Sequence, residues 1–552
     1  MPGVRCAGLS WRISNQFDRE DGIAIVLLIA VIGASVGCGG GPRATPSPSP
    51  TPILNPSPVV VTISPNSAAE SGLAFTLTVN GSNFVAGSVV EWNGSSRTTS
   101  IVTANQLRAQ ITGADLSVAK KAAVTVFNPA PGGGSSNAAT FTIAPATIAF
   151  TSARALDGSN TANTNGTRNI WVMNPDSSNQ IPLTQNTATN AFNQLPHWSP
   201  DGSKIVFQSA RALDGSNTAT NGTSNIWVMN ADGSDATPLT KITALNASSV
   251  LPHWSPDGNK IVFFSLRALD GSDAVNTNFA ENIWVMNADG SNQTPLTKLT
   301  AISAFSNLPV WSPDGSKIIF QSAGALDGSN GANTNSTSNV WVMNADGSGA
   351  HPLTRLTAPK ANSLFASWSP DGSKIVFESQ RALDGSDAAN INGTVNIWVM
   401  NADGSAANSL TKLTAADAIN DAGSFAPNWA PDGTRIVFES RRALDGSDAI
   451  NINGTTNNWI INADGSGAIA LTKLTAAGAD SINPVWSPDG SKIVFSSQRA
   501  IDGSDAANTD RTVNIWVMNA DGSFAVALTK LTATGTSSQD PNQPSRDSEI
   551  IN

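Results

Sequence analysis

The stretch RALDGSNTATNGTSNIWVMNADGS, from Arg211 to Ser234, decides the fold, because close variants of it recur along most of the chain. Its apolar hexamer NIWVMN, or a variant of it, begins at Asn169, Asn225, Asn282, Asn339, Asn396, Asn457 and Asn514. A second motif, WSPDG or WAPDG, begins at Trp198, Trp254, Trp311, Trp368, Trp429 and Trp486. The intervals between these tryptophans are 56, 57, 57, 61 and 57 residues, longer than ankyrin or leucine-rich repeats.

Each repeat unit reads as four short strands. In the unit that starts at Leu251, the strands are LPHW, NKIVFFS, NIWVMN and QTPLTKLT, separated by the tight turns SPDG and ADGS and by longer polar loops. Asp-Gly turns suit tight hairpins. IWVM is apolar on both faces of a strand, so it must be covered on both sides. A four-stranded blade between two neighbours meets this need, and the sequence predicts an all-β chain with a seven-bladed β-propeller over residues 147–552.

The same motifs suggest a family. The succession of WSPDG, KI, F and S, followed by IWVMNADGS and LT, resembles the blades of the TolB-type propeller family over about 400 residues. The resemblance implies the propeller architecture. TolB itself has six shorter blades, whereas the third-strand motifs of this chain predict seven.

The two ends of the repeat region predict how the ring closes. The first unit starts at TIAFTS (Thr147–Ser152) and lacks the strand before WSPDG. The final stretch, DPNQPSRDSEII (Asp540–Ile551), aligns with LPHWSPDGNKIV. We expect this tail to supply the missing first strand; the alternative is an eighth, truncated blade.

The N-terminal region carries an apolar segment, IAIVLLIAVIGASVG (Ile23–Gly37), directly before Cys38. This segment is shorter than the roughly 20 residues of a membrane-spanning helix and is typical of a secretory signal peptide. Its end, ASVGC, resembles a bacterial lipoprotein signal, which predicts a signal peptide over residues 1–38 with lipid attachment at Cys38. A non-lipidated signal and an uncleaved anchor are the alternatives. Residues 39–58 are rich in proline and predict an extended spacer about 60 Å long.

Residues 59–144 predict a separate small domain. Short alternating segments such as VVVTISP and AFTLTVNG are separated by Gly, Asn, Ser and Pro clusters, as in a β-sandwich. The succession ISPNSAAESG, FTLTVNGSNF and VAGSVVEWNG resembles the IPT/TIG family of immunoglobulin-like domains. That family occurs in cell-surface receptors and bacterial surface proteins as a spacer or binding module.

Composition limits the partners. The chain has 552 residues, 13% of them charged, and a net charge of −10, which argues against nucleic acid because phosphate binding needs clustered Lys and Arg. The tryptophans of the two repeat motifs are expected to form the propeller core, since burying each removes a large apolar area from water. Together with the lipoprotein-like signal, these features lead us to expect a monomeric protein of the bacterial cell envelope, lipid-anchored and facing the periplasm or the cell exterior.

The long loops predict where binding takes place. In a four-stranded meander the turns SPDG and ADGS share one face, and the RALDGS loops share the other, where binding residues usually lie. The partners expected there are envelope or surface proteins, or glycans. The candidate binding residues are Arg211, Asp214, Arg267, Arg381, Arg442 and Arg499.

The sequence supports no catalytic assignment. It has three histidines and no GxSxG nucleophile motif between residues 59 and 552, so we expect a non-enzymatic binding or scaffolding protein without a cofactor. One alternative is a glycan-active hydrolase or lyase with paired carboxylates on the loop face. Another is a calcium-stabilised adhesin, because Asp oxygens in the DGSD loops are hard ligands, although Asp and Asn also order loops without metal. The calcium candidates are Asp270, Asp273, Asp384, Asp387, Asp445, Asp448, Asp502 and Asp505.

Overall fold

The computed structural model describes residues 54–70, 74–118, 120–144, 147–220, 222–415 and 423–542. The expected signal peptide with Cys38 and most of the expected spacer lie outside these ranges. No helix among the described residues is long and apolar enough to cross a membrane. The predicted all-β class is confirmed, because the regular elements of these residues are strands joined by short 3-10 turns.

The first described domain is a sandwich of two sheets. One sheet has the strand order β1-β3-β7-β6, and the other has the order β2-β10-β8-β4-β5 with β9 beside β8. Trp92 and Phe141 pack in the core between them, with ring centroids 4.9 Å apart. The strands are β1 (Val59–Ser64), β2 (Ser67–Ala69), β3 (Phe75–Ser82), β4 (Val89–Trp92), β5 (Ser95–Ser96), β6 (Thr99–Thr103), β7 (Gln106–Ile111), β8 (Lys120–Asn128), β9 (Gly134–Ser135) and β10 (Ala139–Ala144), with a 3-10 helix at Gly113–Leu116.

The repeat region forms seven four-stranded antiparallel sheets among its described residues, which we number as blades in chain order. Blade 1 contains β11 (Ile148–Ser152), β12 (Asn169–Met173) and β13 (Ile181–Pro182), and blade 2 contains β14 (Asn193–Trp198), β15 (Lys204–Ser209), β16 (Asn225–Asn230) and β17 (Thr237–Pro238). Blade 3 contains β18 (Ser249–Trp254), β19 (Lys260–Ser265), β20 (Asn282–Asn287) and β21 (Thr294–Pro295), and blade 4 contains β22 (Ser306–Trp311), β23 (Lys317–Ser322), β24 (Asn339–Asn344) and β25 (His351–Pro352). Blade 5 contains β26 (Ser363–Trp368), β27 (Lys374–Ser379), β28 (Asn396–Asn401) and β29 (Asn408–Ser409). Blade 6 contains β30 (Ser424–Trp429), β31 (Arg435–Ser440), β32 (Asn457–Asn462) and β33 (Ile469–Ala470), and blade 7 contains β34 (Ser481–Trp486), β35 (Lys492–Ser497), β36 (Asn514–Asn519) and β37 (Val526–Ala527).

The two faces of each blade carry apolar side chains of different sizes. Between blades 2 and 3, the smaller side chains Val206, Ile226 and Val228 of blade 2 pack on Trp254 and Trp284 of blade 3. The equivalent residues form the other interfaces, so every NIWVMN strand is covered on both sides, as the sequence predicted. The first strands of neighbouring blades lie beside one another, which places them at the axis of the ring. The predicted propeller architecture is confirmed.

The long loop between the second and third strands contains a 3-10 turn in most blades. It begins with an asparagine cap and includes a residue with positive φ, such as Asn392 at 61°. These turns span Thr164–Gly166, Thr277–Phe279, Thr334–Ser336, Ile391–Gly393, Ile452–Gly454 and Thr509–Arg511.

The last described strand, β38 (Ser538–Asn542), closes the ring. It pairs with β11 in blade 1, opposite β12, and the Ser538 hydroxyl donates to Ser152 Oγ at 2.8 Å. Val494 and Ile515 of blade 7 then pack in one cluster with Trp171 of blade 1. The prediction that the C-terminal tail supplies the missing strand is confirmed for these residues, which start two positions before the expected Asp540. They join blade 1 instead of starting an eighth blade, and residues 543–551 of the expected tail lie outside the described ranges.

Deleting residues 538–552 is expected to lower Tm strongly, because it removes β38 and leaves an unpaired edge on β11 that can template aggregation. Differential scanning calorimetry measures the shift. A control deletion of residues 543–552 keeps every pair of β38 and should shift Tm much less. Equal Tm values for the longer deletion and the intact chain would show that β38 does not hold the ring closed.

Candidate functional site

The two faces of the ring differ in how their connections are built. On one face, the SPDG turns are closed by the aspartate, as where the Ser199 hydroxyl donates to Asp201 Oδ1 at 2.6 Å. The same bond recurs at Asp257, Asp314, Asp371 and Asp489. We call this side the turn face, and the side that carries the long RALDGS loops the loop face.

The first acid of each RALDGS loop orders its own turn. Ser386 N donates to Asp384 Oδ1 at 2.8 Å, and Ser216 N donates to Asp214 Oδ1 at the same distance. This is the Asx turn that the sequence offered as the alternative to calcium. The calcium candidates Asp270, Asp445 and Asp502 make the same bond.

The second acid binds the blade before it. Asp387 Oδ1 accepts hydrogen bonds from Thr357 N at 2.8 Å and Ala358 N at 2.9 Å, and Asp387 Oδ2 accepts from the Thr357 hydroxyl at 2.5 Å. Equivalent bonds are made by Asp273, Asp448 and Asp505. Where the acid is replaced by Asn217, the amide oxygen accepts the same two N–H bonds, and Nδ2 donates to the Thr187 hydroxyl at 2.6 Å. Asp and Asn are interchangeable here because the threonine hydroxyl can donate or accept.

These hydrogen bonds also change the pKa of the aspartate that accepts them. The hydrogen bond from the Thr243 hydroxyl, followed by that from Ala244 N, holds the pKa of the Asp273 carboxyl below its usual range. The charge is therefore stabilised by the fold. Across the described ranges, no three His, Cys, Asp or Glu side chains are grouped so that they could hold a metal ion.

The substitution Asp387→Asn distinguishes hydrogen bonding by this side chain from calcium binding by its charge. Because Asn makes the same contacts in three other blades, Asp387→Asn should leave Tm almost unchanged, whereas Asp387→Ala should cost about 1 kcal/mol through the lost hydrogen bonds. Thermal melts of the variants with excess calcium and with chelator measure this. A calcium-dependent rise in the Tm of the wild type that Asp387→Asn abolishes would instead establish the calcium-stabilised adhesin.

The predicted binding arginines lie against tryptophans. The guanidinium carbon of Arg211 is 3.9 Å from the ring centroid of Trp227, and that of Arg267 is 3.9 Å from Trp284. Only 7% of Arg211 and 6% of Arg267 is exposed, and burial lowers the pKa of each to about 10, so both remain protonated at neutral pH. The structure thus corrects their position: they brace the blade, as cation–π contacts do, and present no open guanidinium on the loop face.

The remaining candidates are less buried. Arg381, Arg442 and Arg499 are half-buried, with guanidinium carbons 4.9, 4.8 and 4.7 Å from their tryptophan rings. Each also donates to a carbonyl of its own loop, at Gly385, Gly446 and Gly503. Asp214 is exposed on the loop face, as expected.

An asparagine pair that the sequence analysis did not single out orders the rest of the loop. Asn390 Nδ2 donates to Thr394 O at 3.0 Å and to Leu413 O at 2.8 Å. Asn396, the first residue of NIWVMN, accepts from the Thr411 hydroxyl and Leu413 N. Their regular recurrence at fixed spacing was the signal that could have shown these cross-links.

Two of the three histidines meet at the axis. His197 and His253 lie on neighbouring first strands, are almost fully buried, and have ring centroids 4.4 Å apart. Burial lowers the pKa of His197 to about 4, and burial together with the charge of His197 lowers that of His253 well below its usual range. Both rings are therefore neutral at physiological pH and act as packing residues. His351 is exposed on β25.

The buried histidines predict a pH dependence. Unfolding raises their pKa to about 6.5, so the unfolded chain binds more protons below that pH, and stability falls as the pH drops toward 4. At about pH 5, His197 alone should cost about 2 kcal/mol. The variant His197→Val/His253→Val, which carries the residue found at Val310 and Val485, should lose less Tm between pH 7 and pH 5 than the wild type. Parallel pH profiles would contradict this.

A cavity of about 400 Å³ lies among blades 5, 6 and 7, at the loop-face end of their first and second strands. Glu378, Glu439, Asp480 and Arg441 are its charged lining residues. Apolar and neutral polar lining is supplied by Phe365, Phe425, Ile482, Asn483, Gln498 and Thr456. The sequence analysis proposed paired carboxylates on this face but did not identify these residues.

The carboxylates are placed by the bulges of the first strands. Each bulge contains a residue with positive φ, such as Ala426 at 48° or Asn483 at 51°. Ala426 N donates to Glu378 Oε1 at 2.6 Å, and Asn483 N donates to Glu439 Oε2 at 2.8 Å. Each glutamate therefore reaches from the second strand of one blade to the first strand of the next.

The cavity lies where the blades differ most from one another. Glu378 and Glu439 stand where blade 2 has Gln208, and Gln380, Arg441 and Gln498 stand where other blades have Ala or Leu. Gln208 Oε1 accepts from Leu251 N at 3.3 Å, so an amide can make the inter-blade bond without charge. The charges in blades 5 and 6 are thus additions to the repeat.

Comparison with known proteins supports both domains. Residues 58–143 match the IPT/TIG domain. An uncharacterized protein of Agrobacterium fabrum is 32% identical over 151 residues, 27% of this chain and 46% of that protein. The uncharacterized peptidase YuxL of Bacillus subtilis is 27% identical over 207 residues, 33% of this chain and 29% of that protein. The matches thus span less than half the length of each curated relative.

Solved structures with propellers are similar at low identity. A protein described as TolB from Agrobacterium tumefaciens is 16% identical, with 68% of this chain and 98% of that chain covered and a TM-score of 0.35. Oligogalacturonate lyase from Vibrio parahaemolyticus is 15% identical, with coverage of 60% and 80% and a TM-score of 0.41. Residues 58–143 are therefore an IPT/TIG domain, and the four-stranded sheets described above make the residues from 147 onward a β-propeller.

Proposed function

We propose that this chain is a non-enzymatic binding protein of the bacterial cell envelope that uses the loop face of its propeller to bind a partner protein or a glycan. The lipoprotein-like ASVGC sequence supports anchoring through Cys38, and the proline-rich residues 39–58 support a spacer that carries the folded domains away from the membrane.

The observation that carries the proposal is the difference between the two faces. The turn face repeats one hydrogen-bonded SPDG or ADGS turn from blade to blade. On the loop face, the third residue of the 3-10 turn is Phe279, Ser336 or Arg511 in three blades and a glycine in three others, at Gly166, Gly393 and Gly454. Since the Asx and Asn bonds fix the loop backbones, these varied side chains stand on a rigid surface, which favours binding.

The tip residues also expose apolar area. Phe279, the third residue of its 3-10 turn, is 57% exposed, and Ile391 and Ile452, the first residues of the turns in blades 5 and 6, are 67% and 66% exposed. A partner bound to the loop face would remove this apolar area from water.

Phe279 and Phe524 form a matched pair for testing the proposal. Phe279 lies on the loop face, and Phe524, 83% exposed with a φ of 54°, follows the ADGS turn on the turn face. Each is replaced by the photoreactive analogue p-benzoylphenylalanine in the full-length protein, and whole envelopes are irradiated. Discrete cross-linked products are expected from position 279 and not from position 524. Products from position 524 alone would overturn the choice of face.

A second candidate is a glycan-active hydrolase or lyase, favoured by the carboxylates Glu378, Glu439 and Asp480 in the cavity. Glycoside hydrolysis uses a pair of such groups. Turnover of a polysaccharide by the wild type that is lost in Glu439→Gln would replace the binding proposal with this one.

A further inference from the structure

The cavity of blades 5, 6 and 7 has the size and the walls of a small-ligand site. Its volume of about 400 Å³ is within the range of small-molecule sites. Phe365 and Phe425 line it and are only partly buried. Aromatic ring faces attract cations, most strongly where water is reduced.

The charges of the wall favour a positive ligand. The charged groups among the described lining residues are three carboxylates, from Glu378, Glu439 and Asp480, and one guanidinium, from Arg441. One oxygen of each carboxylate accepts a backbone N–H, which for Asp480 Oδ1 is Thr456 N at 2.7 Å. A concave wall with an excess of one charge sign raises the local concentration of counter-charged ligands.

A buried amide on the face of blade 6 that carries Glu439 departs from the repeat. Asn458 is 0% exposed, and neither its Nδ2 nor its Oδ1 has a hydrogen-bond partner. It lies opposite Glu439 in the β31–β32 pair, so the two side chains project from the same face of blade 6. Glu439 reaches Asn483 of blade 7, so Asn458 also lies on the face of blade 6 that packs against blade 7, although it is not one of the residues that line the cavity. An unsatisfied buried amide is costly, and most copies of the repeat have isoleucine there.

We propose that this cavity binds a cation with N–H donors, a primary ammonium or a guanidinium group, belonging to a small amine or to a Lys or Arg side chain of a partner. The carboxylates accept its N–H bonds, and the Phe365 and Phe425 rings border it. This inference rests on the proposed binding function and names the chemistry of its ligand.

The repeat itself provides variants that remove charge and keep the fold. Glu439→Gln installs the residue of blade 2, whose Gln208 makes the equivalent inter-blade bond. Asp480→Asn installs the residue of blade 5, where Asn362 Oδ1 accepts from Ser338 N at 2.9 Å. Asp384→Asn removes one negative charge from the loop face away from the cavity lining and serves as the control.

Isothermal titration calorimetry of the full chain measures the binding of argininamide, with neutral citrullinamide as the comparison. Argininamide is expected to bind, and citrullinamide to bind at least tenfold more weakly. Glu439→Gln and Asp480→Asn should each weaken argininamide binding at least tenfold without a change in Tm, and Asp384→Asn should leave it within twofold of the wild type. An acetylated Gly-Arg-Gly amide that binds more tightly than argininamide would assign the cation to a partner segment; weaker binding would assign it to a free amine.

The inference is overturned if argininamide does not bind at millimolar concentration, if citrullinamide binds equally well, or if both cavity variants bind argininamide like the wild type. If one variant loses stability, the other decides. Cross-linking from position 279 together with any of these results would leave the binding function standing and reject only the cationic ligand.

Discussion

The packing of one blade on the next is the interaction on which the structure depends. Each blade offers tryptophans on one face and smaller Val and Ile side chains on the other, so no blade can bury both faces by itself. Only a closed ring covers every face, which is why the contact of Trp171 with Ile515 across the closure is as necessary as any contact within the series. The pairing of β38 with β11 ties this closure to the chain's last described strand.

The polar part of the repeat belongs to the same scaffold. Asp384 closes its own turn, Asp387 binds the preceding blade, and Asn390 and Asn396 tie the loop to the LTKLT segment. The recurrence of these Asp and Asn residues is thus explained by the hydrogen bonds that they make in the loops of the repeat. The proposed binding is then expected where the copies differ, which is at the loop tips and in the cavity of blades 5, 6 and 7.

Periodicity was sufficient to predict the propeller and the closing strand, because a strand that is apolar on both faces admits few arrangements. It was insufficient for Arg211 and Arg267, since a charged residue in a polar loop reads as exposed, and only the folded loop turns it back onto a tryptophan ring. The cavity was also missed, because it combines residues from three blades. Its signal was nevertheless in the sequence: Glu439 and Arg441 stand where blades 2 and 4 have Gln and Ala.

The division between scaffold and site is tested most directly by restoring the repeat. The variant Glu378→Gln/Gln380→Ala/Glu439→Gln/Arg441→Ala gives blades 5 and 6 the residues that blade 2 has at Gln208 and Ala210. Tm and argininamide binding are measured on this variant and on the wild type. The account predicts an unchanged Tm and no binding; a large fall in Tm, or binding like that of the wild type, would contradict it.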